Sequence, residues 1–228
     1  MRTKDFIFIL IVIAVFLPFI ISDTLYDWYL TFNAEHGMVM SFLKFSILAT
    51  MGELLGLRIS KGVYYFDGFG VLPRAIVWGI LGMGINMAFI VFSTGVPAFM
   101  GYMGMDNPTD VMAGALTPEK VLLAFSISVV MNSIFAPVFM TLHKITDTHI
   151  MNNGGTLRGL FTPIKMGEIM QNLNWKVQWG FVFKKTIPLF WFPAHTVTFL
   201  LPGEMRVLFA ALLGVLLGVI LSVAARKK

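Results

Sequence analysis

Long apolar runs separated by short polar stretches set the pattern of this chain. Residues 5–22 hold the first run, preceded by Arg2 and Lys4. Residues 23–36 are polar and aromatic, with Tyr26, Trp28 and Tyr29, and are read as a loop. A second run, 37–57, is apolar except for Lys44 and Glu53. A glycine-containing loop at 58–73 leads to a third run at 74–100. A Gly/Asn/Pro loop at 101–118 leads to a fourth at 119–142. Segment 143–176 is the longest connection. After Pro163 it turns weakly amphipathic, with Ile164, Ile169, Met170, Leu173 and Val177 near helical spacing. That spacing predicts a short helix in the membrane interface, ended by Trp175 and Trp179 at headgroup depth. The fifth crossing begins at Trp179, and residues 205–225 form the last. The expected fold is all-α: a polytopic transmembrane bundle of about six spans, one integral membrane domain over 1–228.

The fifth crossing organises the rest. Lys184, Lys185 and His195 lie within it, and Pro188, Pro193 and Pro202 interrupt it. Backbone groups freed inside hydrocarbon must find partners in neighbouring helices, hydroxyls or water. Ionisable groups at that depth usually face a bundle interior or a wet cavity. The fourth and fifth spans are therefore expected to face inward.

Composition agrees with the pattern: 57% of the 228 residues are hydrophobic, 13% are charged, and the mean hydropathy is +0.80. Soluble domains are nearer half apolar and a quarter charged. The net charge of +5 comes from residues flanking apolar runs, so it points to a membrane rather than nucleic acid. There are no cysteines, which excludes disulfides, thiol nucleophiles and Cys-ligated metals. With six spans, Arg2, Lys4, Arg58, Lys61, Arg74, Lys144, Arg158, Lys165, Lys176 and the terminal Arg226, Lys227 and Lys228 share one side. Asp23, Asp27, Glu35, Asp106, Asp110, Glu119 and Glu204 share the other, with Lys120 and Arg206 as basic neighbours. The positive-inside rule then places both termini in the cytoplasm or its equivalent. The first run lacks an A-x-A-like cleavage site and is expected to stay as a span.

Small residues recur at four-residue spacing: Ala210, Gly214, Gly218 and Ser222; Gly52 and Gly56; Ala75 and Gly79; Gly84 and Ala88. These are expected to be helix–helix seams, within the chain or in a homo-oligomer. Ala124, Ser128, Asn132 and Ala136 make a small, polar stripe that is a candidate lining. Lys184 and Lys185 either snorkel to the interface or present a cationic lining to small anions. Glu53 needs a cationic partner, and Arg74 or a lysine of the fifth span is expected to supply it. His195 is expected to be a hydrogen-bonded interior residue, with proton sensing as the sharper alternative. Arg206 is a candidate contact for Glu204, Glu119 or an anionic headgroup at the outer face. No catalytic constellation, haem pair, metal motif or nucleotide fingerprint is present, so neither enzyme activity nor a cofactor is expected.

Asn132-Ser133-Ile134-Phe135-Ala136-Pro137-Val138-Phe139, and the series Trp191-Phe192-Pro193, His195, Thr198-Phe199, Pro202, Arg206, resemble the Mpv-seventeen family of small peroxisomal and mitochondrial inner-membrane proteins. Gly52-Glu53 and Arg74 are similar to that family's Gly-Asp and first arginine. Met131 stands where the family has an acid, and His195 and Thr198 replace Gln and Asn. The resemblance covers about residues 37–225 and makes the first span an addition. It implies a small-solute channel or transporter-like pore, here in a bacterial cytoplasmic membrane. The alternative is a non-catalytic scaffold or assembly partner that docks through its small-residue faces.

Overall fold

A computed structural model describes residues 3–226, with side chains through Val223. Arg2, Lys227 and Lys228 of the charge-asymmetry argument lie outside the described residues. Every regular element among the described residues is helical. Five are long and apolar enough to cross a membrane: α1 (Thr3–Ile21), α3 (Gly37–Lys61), α4 (Val71–Tyr102), α6 (Pro118–Asn152) and α11 (Gly203–Arg226). The predicted fifth crossing is composite. It runs from α9 (Trp175–Val177) through a π-helix (Gln178–Trp191) into α10 (Phe192–Leu200). Short helices α2 (Asp23–Glu35), α5 (Pro108–Ala113), α7 (Leu157–Leu160) and α8 (Met166–Gln171) fill the connections.

Three sequence expectations are corrected. Residues 23–36 are a helix, not a loop. Ser22 caps α2 by accepting from the Leu25 N–H, and Trp28 stacks on Phe32 one turn later. The fourth span does not stop at Leu142: α6 runs ten residues further, with no Pro or Gly between Leu142 and Gly154 to end it. At 1.5 Å per residue its 35 residues reach about 52 Å, beyond the roughly 30 Å of a hydrocarbon core. The fifth crossing is π-wound for fourteen residues around Pro188. π-Winding is rare and occurs mostly as single turns, so a stretch of this length is unusual.

The small residues mostly sit in seams inside the chain. A Cβ on Gly52 would meet Val215 at 3.1 Å, and one on Gly56 would meet the Ser222 hydroxyl at 2.9 Å, so α3 and α11 approach closely. A Cβ on Gly82 would lie 2.5 Å from Phe45, so α4 rides over that ring of α3. Gly70 and Gly155, both with positive φ, bring the loops before α4 and after α6 into backbone contact. The core lies where α3, α4, α6, α10 and α11 meet, with Leu123, Ala124, Ile127, Phe199 and Ala211 fully buried. α1 contributes no buried residue.

Candidate functional site: an ionisable cluster joining three helices

α3 runs toward the end of the bundle that carries Arg58 and Lys61, α4 starts there, and α6 finishes there. This places Glu53, Arg74, His143 and Asp147 side by side. Arg74 is 4% exposed and holds the group together. Its Nη1 donates to Glu53 Oε2 at 2.7 Å and also to Asp147 Oδ1. Its Nε donates to the Phe69 carbonyl at 2.8 Å, and its guanidinium lies 4.3 Å from the Phe69 ring centre. Trp78 Nε1 donates to Glu53 Oε1 at 2.9 Å. His143 Nε2 lies 3.2 Å from Glu53 Oε1 and 3.8 Å from Asp147 Oδ1, while its ring packs 4.3 Å from Trp78.

Two carboxylates and one guanidinium leave one negative charge. The cluster is neutral when His143 carries a second proton. A buried charge excess is costly, so proton occupancy is part of this site's stability. The ligand atoms of Glu53, His143 and Asp147 lie within 4.8 Å of one another, close enough to hold a metal ion. Arg74 already engages both carboxylates, and its positive charge opposes a second cation there.

The expected Glu53–Arg74 ion pair is present. Asp147, His143 and Trp78 were missed as its partners. His143 and Asp147 share one helix face at four-residue spacing, and that signal counts only once α6 is known to continue past Leu142. Lys44 was also missed as an interior cation. It is buried, donates to Asn33 Oδ1, and lies 5.2 Å from the Tyr29 ring centre, both partners coming from the unexpected α2.

The other expected site residues lie elsewhere and in separate settings. Ser128 and Asn132 are buried between α6 and α10 rather than along an open lining. Ser128 donates to the Phe192 carbonyl at 2.8 Å, where π-winding gives way to α, and Asn132 Nδ2 donates to the Ser128 carbonyl at 2.8 Å. Ser128 ties the broken crossing to α6, and Asn132 bonds only within α6, to Ser128. His195 is buried against the Trp191 ring at 4.9 Å and the Phe89 ring at 5.5 Å. Thr198 Oγ1 donates its hydrogen to the Ala194 carbonyl, so it accepts from His195 Nδ1 at 3.3 Å.

Lys184 and Lys185 are exposed on the outer face of the π-helix, near exposed Trp179, Phe181 and Leu189. Thr186 and Ile187 take the inward positions instead. The lysines therefore do not line an interior path of this chain. Lys184 Nζ rests 5.9 Å from the Trp179 ring centre, a snorkelling arrangement. Arg206 donates to the Leu201 and Phe199 carbonyls at 3.0 and 3.2 Å, closing the C-terminal end of α10 rather than pairing with Glu204 or Glu119.

No family model, curated protein or solved structure matches this chain.

Proposed function

We propose that this chain is a membrane transport protein for small solutes, controlled by proton occupancy of the Glu53–Arg74–His143–Asp147 cluster. The observation carrying this reading is the placement of four ionisable side chains across three helices in one contact group. The group sits at the basic end of the bundle, where ionisable side chains drawn out of water must pair to be tolerated, and such groups in membrane helices commonly mark proton relays or solute routes.

α6 links that cluster to the broken crossing. His143 and Asp147 sit at one end of α6, Ser128 holds the π/α junction at the other, and Pro137 lies between them. Proline inside a helix removes a backbone bond and is a natural kink point. Gaining or losing a proton at the cluster changes how tightly α6 is held to α3 and α4. Bending at Pro137 passes that change to the π-helix. Interrupted helices form the substrate and ion sites of many transporters. The resemblance to the Mpv-seventeen family supports the same small-solute class. The basic end of the bundle is assigned to the cytoplasm, the membrane to a bacterial inner membrane, and the activity to transport rather than catalysis.

Reconstitution into liposomes tests the reading. Efflux of trapped small solutes graded by size and charge is expected from wild-type vesicles and not from empty ones. Vesicles that stay sealed to every solute, with the protein folded and inserted, contradict it and leave the scaffold reading in its place.

A further inference from the structure

We propose that the groove between α1 and α3 binds one anionic glycerophospholipid. The headgroup phosphate lies at Lys4 and Arg58, and an acyl chain lies along the apolar trough. The site is independent of the proton cluster and of the transport reading.

α1 crosses the membrane without burying a residue. It is braced near its ends. At one end the Asp5 carboxylate accepts from Arg58 Nε and Nη2 at 2.6 and 2.8 Å and from the Tyr64 hydroxyl at 3.2 Å. Phe8 stacks on Tyr64 just beyond, at 4.9 Å. Near the other end Phe19 meets Tyr29 of α2 at 5.6 Å. Between α1 and α3 a cavity of about 490 Å³ remains, walled by Phe8, Ile9, Val12 and Ile13 on one side and Leu55 and Ile59 on the other. The groove is open along its apolar walls, with Asp5, Arg58 and Tyr64 at one end, so in a bilayer the filler available to its apolar length is hydrocarbon.

The trough has a polar end. A second cavity of about 290 Å³ shares Arg58 and Tyr64 with the first and adds Lys4 and Gly62. Arg58 is fixed: Nε and Nη2 serve Asp5, and Nη1 donates to the Gly62 carbonyl at 3.0 Å. Lys4 is exposed at the rim. Two cations against one carboxylate leave the mouth with a net positive charge. A polar cationic mouth on a long apolar trough matches a phosphate joined to an acyl chain. The net charge selects an anionic lipid over a zwitterionic one, whose own cation would meet the same lysine.

The test uses the full-length protein in nanodiscs of equal dioleoyl-phosphatidylglycerol and dioleoyl-phosphatidylcholine. Lipids that survive mild detergent release are counted by native mass spectrometry. Wild type is expected to retain one phosphatidylglycerol, with about fivefold preference over phosphatidylcholine, the scale of one cation beside an anionic lipid. Lys4→Glu is expected to erase the preference. Val12→Trp, which fills the trough, is expected to abolish retention, and Leu55→Trp from the opposite wall repeats that test if Val12→Trp fails to fold. Equal retention of the two lipids by wild type overturns the proposal. So does undiminished retention by a folded trough-filling variant.

Discussion

Arg74 serves three acceptors at once: two carboxylates and the carbonyl of Phe69. Arg74→Ala leaves Glu53 and Asp147 facing each other with one histidine between them. Removing one partner of a buried charge group costs about 3–5 kcal/mol. Glu53→Gln is milder, about 1–3 kcal/mol, because Asp147 still faces the guanidinium. Unfolding of the purified variants in detergent should show that order, and equal losses would mean that Arg74 does not hold the group together. The Glu53–Arg74 pair was legible in the sequence, since an acid in an apolar run must meet a cation. Asp147 was not legible. Its spacing from His143 has meaning only on a helix, and hydropathy alone ended that helix at Leu142.

At the scale of elements, close packing distinguishes glycines that sequence treats alike. Gly82 lies beneath Phe45, whereas a Cβ on Gly84 would meet nothing within 4 Å. Gly82→Ala is expected to destabilise the bundle by about 1–3 kcal/mol, the usual cost of overpacking. Gly84→Ala should stay within about 0.5 kcal/mol of wild type. Thermal melts of the two variants under one condition check this, and matched melting points would remove α4–α3 contact as the reason for Gly82. The long helices were readable because each is a sustained apolar run. α2 was hidden because its residues are polar enough for a loop, and its evidence is a cap and an aromatic pair one turn apart. The π-winding was hidden for a different reason: the prolines announced a break in the crossing but not the register that follows it.

Across the whole molecule, six crossings and the positive-inside rule predict which loops share a side. Arg58, Lys61, Arg74 and Lys165 lie in stretches assigned to the cytoplasm, and Asp106 and Asp110 lie in one assigned to the outside. The absence of native cysteine makes this directly measurable. A cysteine introduced at Asn107 should react with an impermeant maleimide added outside intact cells, and one at Lys165 should react only after the membrane is opened. The reverse pattern would invert the bundle. Of the two readings open for Lys184 and Lys185, their exposure matches snorkelling rather than a lining within this chain.

Proton occupancy of the three-helix cluster is proposed to control passage. His143→Phe keeps an aromatic ring against Trp78 and removes the imidazole whose second proton neutralises the cluster. Solute flux from liposomes, recorded across a series of imposed pH steps for wild type and His143→Phe, therefore tests the claim most directly. Flux is expected to change with pH in wild type and to stay flat in the variant, with both proteins folded and inserted. Flux that is pH-independent in wild type, or equally pH-dependent in both, would contradict it.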